Sequence, residues 1–185
     1  MSDQPMNSSM FISSLSCACL LFVVVSFSAQ AGEVLTGKVV GVTDGDTVTV
    51  LVAGHDQVKV RLANIDAPEK AQPYGQRSKQ VLSDLAFGKV IECNQSGLDR
   101  YGRTIAVCSV GSTVINLAMV KAGMAWVYRK YAHGVPEYYA AEDEAHQQRL
   151  GLWADADPVP PWNWRHSVSK GKGKNLRRAT DLSEV

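Results

Sequence analysis

The sequence predicts an α+β fold of five short strands and three helices. Two periodicities carry that expectation. Apolar residues recur with period two at Val48, Val50 and Val52, alternating with Thr47 and Thr49, and again at Val58, Val60 and Leu62, alternating with Lys59 and Arg61. The period then becomes helical across 74–87, where Val81, Leu82, Leu85 and Ala86 follow helical spacing and Gly88 ends the run. A third observation bounds the answer: 185 residues without internal repeats suffice for one domain with a sizeable core and extensions, and are too few for two ordinary domains.

Taken in order, residues 33–43 read as a Val-rich strand in which Gly37 and Gly41 mark a bulge or strong bend. Asp44-Gly45 is a tight-turn signal leading to a second strand, 46–52. Gly54 and His55 turn the chain into a third strand, 57–65, giving a meander. After the helix, 89–93 and 104–108 supply two more strands joined by a polar turn region. A short second helix follows, with Thr113 as its cap and Lys121 to Gly123 as its end, and then an aromatic connection over 124–131. The third helix starts near Pro136, with proline in the first turn and Glu137 at the positive end of the dipole, and finishes around Arg149 to Gly151. These elements fit a small Greek-key barrel wrapped by helices, although spacing alone does not single it out among α+β folds.

The domain is expected over 32–154. Residues 155–166 contain Pro158, Pro160, Pro161, Trp162 and Trp164 and read as an extended segment anchored along the domain by its tryptophans, too proline-rich for a helix. From Ser167 to Val185 the chain is rich in Gly, Lys, Ser and Arg without periodicity, which predicts a disordered, modestly basic tail. Such a tail either solubilises the protein or adds weak, salt-sensitive contact to phosphates.

Residues 1–31 read as a secretory leader. An apolar run from Phe11 to Phe27 ends at Ser28-Ala29-Gln30-Ala31, a small-residue cleavage signature, although no Lys or Arg precedes the run. An uncleaved membrane anchor is the alternative; the run is short for a span. The expectation is a periplasmic or secreted, monomeric protein without stable membrane association once the leader is removed. Cys17 and Cys19 go with the leader, leaving Cys93 and Cys108 in an oxidising compartment. An antiparallel pair over 89–93 and 104–108 brings these two together, so a structural disulfide is expected.

With a net charge of +1, no bulk basicity points to a nucleic-acid partner, and any binding must come from local charge. Asp44-Gly45-Asp46 is a good turn whatever its function. Asp66 and Glu69 have the spacing of a capping box, and Arg61 and Arg103 have an ordinary reading as surface charges. Other chemistries lack their parts. His55, His133, His146 and His166 have no metal-ligand spacing, the Asp44 region lacks the terminal Glu of an EF-hand, and neither a Gly-x-Ser-x-Gly elbow nor a phosphate-binding loop is present. What separate accidents explain poorly is the ordered set: Asp46 in the turn, Arg61 in a strand, Asp66-Ala67-Pro68-Glu69 at its end, and Asp99-Arg100-Tyr101-Gly102-Arg103 further on.

That set resembles the thermonuclease (staphylococcal nuclease-like) family of calcium-dependent phosphodiesterases, over roughly 33–153. The resemblance implies a five-stranded OB-fold Greek-key β-barrel with three helices, acting on DNA and RNA. It implies that Asp46, Asp66 and the backbone carbonyl of Ala67 hold Ca²⁺; the family more often has Thr at this last position, and a carbonyl ligand tolerates Ala. Glu69 matches the general base, Arg61 and Arg103 the guanidinium groups on the phosphate, and Tyr101, Tyr128 and Tyr131 the aromatic residues that line or stack in the cleft. Such chemistry suits these groups: hard oxygen donors for Ca²⁺, and a planar, permanently charged fork for phosphate oxygens. A barrel that binds nucleic acid without cleaving it, and a calcium-stabilised module with no nucleic-acid affinity, are the alternatives.

Overall fold

A computed structural model describes residues 33–169. The expected leader and positions 170–185 of the expected tail lie outside the described residues. Alternation decides which sheet face turns inward: Val39, Val48, Val50, Val60 and Leu62 are at most 1% exposed, and they meet Ile91, Cys93, Ala106 and Cys108 in one core. The sheet closes on itself. β1 (Val34–Val42) pairs antiparallel with β2 (Thr47–Val52) and with β5 (Val90–Leu98), while β2 pairs with β3 (Asp56–Leu62). β6 (Thr104–Val110) runs antiparallel to β5 and parallel to β3, through Val60 opposite Thr104 and Leu62 opposite Ala106. That parallel seam completes a five-stranded OB-fold barrel.

Both glycines of the first strand matter, for different reasons. The register shifts between Val39 and Gly41, which is the expected bulge. At Gly37 a Cβ would lie 2.4 Å from the Leu51 carbonyl oxygen, so the close approach of two strands excludes any side chain. The third strand is shorter than its apolar pattern suggests. It stops at Leu62, Asn64 turns with φ of 67°, and the two-residue β4 (Ile65–Asp66) leaves the barrel to pair with β8 (Trp126–Val127).

Helices α1 (Gly75–Ala86), α2 (Ile115–Lys121) and α3 (Pro136–Gln147) are those expected. Thr113 is not the cap of α2: it lies in β7 (Thr113–Val114), paired with the end of β6. Asn116, fully buried on α2, stitches the parallel seam by donating to the Ala63 and Ala106 carbonyls and accepting from the Cys108 N–H. Cys93 and Cys108 face each other across β5 and β6 with Cα atoms 4.1 Å apart and form the expected disulfide. Glu142 on α3 is also buried; it accepts the Val127 N–H at 2.8 Å and pairs with Arg129 at 2.9 Å, fixing β8.

The proline-rich segment departs from expectation. After the 3₁₀ turn Gly151–Ala154, residues 161–169 form a fourth helix, α4, instead of an extended strand of chain. The prolines favour it. Pro158 and Pro160 precede the helix and Pro161 opens it, where a missing N–H costs nothing, and the Pro160 carbonyl accepts the N–H groups of Asn163 and Trp164.

Candidate active site

Three chain segments meet because of strand register. The β2–β3 pairing sets Thr47 opposite Arg61, and the parallel β3–β6 seam sets Thr104 beside Val60, so Arg61 and Arg103 arrive next to the same turn. That turn is held by its own groups: Asp44 Oδ1 accepts the Asp46 N–H, and the Thr43 N–H donates to the Thr47 carbonyl. Gly45 is buried under α1, and a Cβ there would lie 1.8 Å from Ser78 Oγ and 2.7 Å from the Ala67 Cβ. Only glycine lets the turn close against both.

Asp46 is 5% exposed, and its carboxylate is shared. Oδ1 accepts the Thr47 hydroxyl at 3.0 Å, while Oδ2 accepts the Ala67 N–H at 2.7 Å and lies 3.1 Å from Arg61 Nη2. The same Nη2 is 2.9 Å from Asp66 Oδ1. Arg61 therefore stands between two buried carboxylates, and its Nη1 donates to the Leu62 and Ile65 carbonyls at 2.8 Å each, which curls the strand end around it. Arg103 reaches the group through Thr47: its Nη1 donates to Thr47 Oγ1 at 3.3 Å, and its Nε is held by Asp99 Oδ2 at 2.7 Å.

Glu69 sits on the loop between β4 and α1. Its N–H donates to Gln72 Oε1, the Gln72 N–H returns to the Glu69 carbonyl, and the Gln72 side-chain amide donates to the Val159 carbonyl. Arg165, from α4, bridges the carboxylates. Its Nη2 is 2.7 Å from Asp66 Oδ2, and its Nη1 is 2.7 Å from Glu69 Oε1 and 3.3 Å from Asp66 Oδ1. Asp46, Arg61, Asp66, Ala67, Glu69 and Arg103 thus belong to one connected cluster.

The three tyrosines are not together. Tyr101 is 69% exposed beside Arg103, whose guanidinium carbon is 5.5 Å from the ring centroid. Tyr128 lies on the α4 side, stacked on Trp162 with centroids 5.6 Å apart and ring planes 3° from parallel. Tyr131 packs edge-on against Tyr128 at 4.9 Å. The face of Tyr128 that meets Trp162 is therefore covered. Sequence reasoning passed over Arg165, Thr47 and Gln72: the first lay in a stretch read as packing, and the other two carry no motif.

Burial pushes the Asp66 carboxyl above its ordinary range despite the opposing arginines, and burial followed by the Asp46 charge pushes Asp44 up to about 6. Carboxylates are therefore crowded here beyond what is comfortable for anions alone, and guanidinium groups lie among them. Among the described residues no group of three or more His, Cys, Asp or Glu forms a ready metal cage. The donors present are hard oxygens of Asp46 and Asp66 beside the Ala67 backbone, without thiolate or imidazole. They fit a cation such as Ca²⁺, which completes its shell with carbonyls and water, better than a zinc-type ion.

The profile of the family described as Staphylococcal nuclease homologue matches residues 59–155. An uncharacterized endonuclease of Haemophilus influenzae is 48% identical over 146 residues, covering 79% of this chain and 82% of that protein. A micrococcal nuclease of Shigella flexneri is 42% identical over 155 residues, covering 78% and 88%. A protein of Escherichia coli named ParB is 41% identical over 161 residues, covering 82% and 90%. With the barrel, the cluster and these likenesses in agreement, the chain belongs to the staphylococcal nuclease homologue family.

Proposed function

We propose that this protein is a calcium-dependent endonuclease that hydrolyses phosphodiester bonds of DNA and RNA with little sequence preference. The observation that carries this reading is the convergence of Asp46, Arg61, Asp66, Glu69 and Arg103, drawn from four separate places in the sequence, on one edge of the barrel. The names of the Haemophilus and Shigella relatives support it. Asp46, Asp66 and the Ala67 carbonyl would hold Ca²⁺, which when bound supplies positive charge to the phosphoryl oxygens. Arg61 and Arg103 bind and neutralise the same phosphate, whose charge grows in the transition state. Glu69, with a side chain 40% exposed, accepts the proton of the attacking water at its carboxylate.

By resemblance to the family, water attacks in line, the 5′-oxygen leaves, and the products carry 3′-phosphates. Single-stranded or frayed substrate suits a small barrel, because unstacked bases can lie on exposed aromatics such as Tyr101. The Cys93–Cys108 disulfide supports a periplasmic or secreted setting. The test compares digestion of DNA and RNA in calcium and in chelator, for the native protein and Glu69→Gln. Loss in chelator and in the variant is expected. Equal, undiminished digestion in all four conditions rejects the reading.

A further inference from the structure

We infer that Arg165 is a positioning residue of the active site, acting through Glu69. The inference rests on the reading of Glu69 as general base. Glu69 lies on a loop with its side chain two-fifths exposed, and among the described residues its carboxylate is hydrogen-bonded to Arg165 alone. Arg165 supplies the constraint on its direction. One guanidinium spans both groups, with 2.7 Å contacts to Glu69 Oε1 and to Asp66 Oδ2. A planar fork with fixed donor directions can hold two carboxylates in a set relation; a single ammonium cannot.

The element that carries Arg165 is itself anchored. Pro161 at the start of α4 is buried, Trp162 stacks on Tyr128 and packs edge-on against Trp126 at 5.9 Å, and the preceding Val159 carbonyl accepts from Gln72. Gln72 also holds the Glu69 N–H. The C-terminal segment therefore grips the Glu69 loop twice, by backbone through Gln72 and by side chain through Arg165. A blocking segment that substrate must displace needs only the second contact. Anchoring of the turn before the arginine, by buried Pro161 and by Trp162 stacked on Tyr128, suits a permanent wall of the site.

The experiment is a double-mutant cycle in the full chain. Arg165→Ala is expected to lower kcat about 10²-fold, the order that a misplaced catalytic group costs, with KM little changed. Arg165→Lys is expected to recover little of the loss, because one ammonium cannot hold both carboxylates in register. In a Glu69→Gln background, removing Arg165 is expected to cost almost nothing more, because the group it positions is already disabled. A second measurement needs no catalysis: in calcium-free protein, amide hydrogen exchange over 69–72 should quicken in Arg165→Ala while the barrel strands keep their protection. Three results would overturn the inference: a kcat that is unchanged or raised, which makes α4 a plug; equal losses in both backgrounds, which makes Arg165 a direct phosphate contact; or unchanged exchange over 69–72. Full activity of Glu69→Gln alone would sink the general-base reading instead, and the exchange measurement still decides whether Arg165 orders the loop.

Discussion

Asp99 holds Arg103 four residues along the same turn. Its Oδ2 accepts Arg103 Nε at 2.7 Å, and its Oδ1 accepts the N–H groups of Tyr101 and Arg103. One carboxylate therefore both closes the turn and aims the guanidinium at Thr47. Desolvation works against the charge of Asp99, but these hydrogen bonds outweigh it and hold the carboxyl below its ordinary value of 3.8. A depressed carboxyl stabilises the fold above its unfolded value and loses that contribution as pH falls through the folded one. Asp99→Asn is accordingly expected to lower Tm at neutral pH, with the difference shrinking as pH drops below 3.8. A difference that widens on acidification would contradict this account. Nucleic-acid cleavage by the same variant should fall at neutral pH, because Arg103 is no longer aimed.

Calcium should stabilise the protein. A ligand that binds only the folded state at about a hundred times its Kd adds about 2.7 kcal/mol. Thermal melts with calcium and with chelator should therefore differ, and Asp46→Ala should abolish the difference by removing a carboxylate oxygen that sits 2.7 Å from the Ala67 N–H. An equal calcium shift in Asp46→Ala would place the ion elsewhere.

Gly75 opens α1 and its missing side chain lets the Glu69 loop cross. A Cβ at this position would lie 2.0 Å from the Glu69 carbonyl oxygen. Alanine in place of a helical glycine ordinarily gains about 0.5–1 kcal/mol. Overpacking against backbone, which cannot swing aside, costs about 1–3 kcal/mol and should win. Gly75→Ala is therefore expected to destabilise modestly in chemical denaturation, and to reduce cleavage well beyond what its folded fraction explains, because the loop that moves carries Glu69.

Asn116 makes three hydrogen bonds from a side chain with no exposure. Replacing it with Ala or Leu leaves the Cys108 N–H and the Ala63 carbonyl without this partner at the parallel seam, while the Ala106 carbonyl keeps the Ala63 N–H. Each unmatched buried group costs about 1–3 kcal/mol, so a total loss of about 3 kcal/mol is expected, read as a lowered denaturation midpoint. A loss below about 1 kcal/mol would mean that the seam does not depend on this residue.

The Cys93–Cys108 disulfide closes a loop with a sequence separation of 15. Constraint of the unfolded chain by a loop of this size corresponds to about 3 kcal/mol. The double variant Cys93→Ala, Cys108→Ala should lose about that much stability while keeping cleavage at temperatures where it remains folded, since neither sulfur touches the cluster. Loss of cleavage in a fully folded variant would give the bridge a role beyond stability.

Much of the molecule follows from local pattern. Period-two apolar runs announced the inward faces of β2 and β3, because alternate side chains of a strand point to opposite sides. Helical spacing announced α1, and paired cysteines on neighbouring strands announced their bond. Five chemically apt residues stood out because carboxylates and arginines at turn and strand ends are rarely arranged so for packing alone. Other features lacked any such signal. Thr47 carries a hydroxyl between Arg103 and Asp46 but resembles any strand threonine, and Asn116 and Glu142 look like surface residues until burial is known. The prolines before α4 disguised a helix, since the rule against proline applies to helix interiors and not to the first turn.

The amino-acid order by itself determined which segments become the barrel strands and the first three helices, which faces are apolar, and which residue types are available for chemistry. Those properties depend on neighbours a few positions apart. Closure of β3 against β6 was decided only by the folded chain, and with it the meeting of Arg61, Arg103 and Asp46. So was the bridge from Arg165 to Asp66 and Glu69, across nearly a hundred residues of sequence. Such contacts answer to packing between distant elements, and no periodicity in a linear chain encodes the distance between two side chains that far apart.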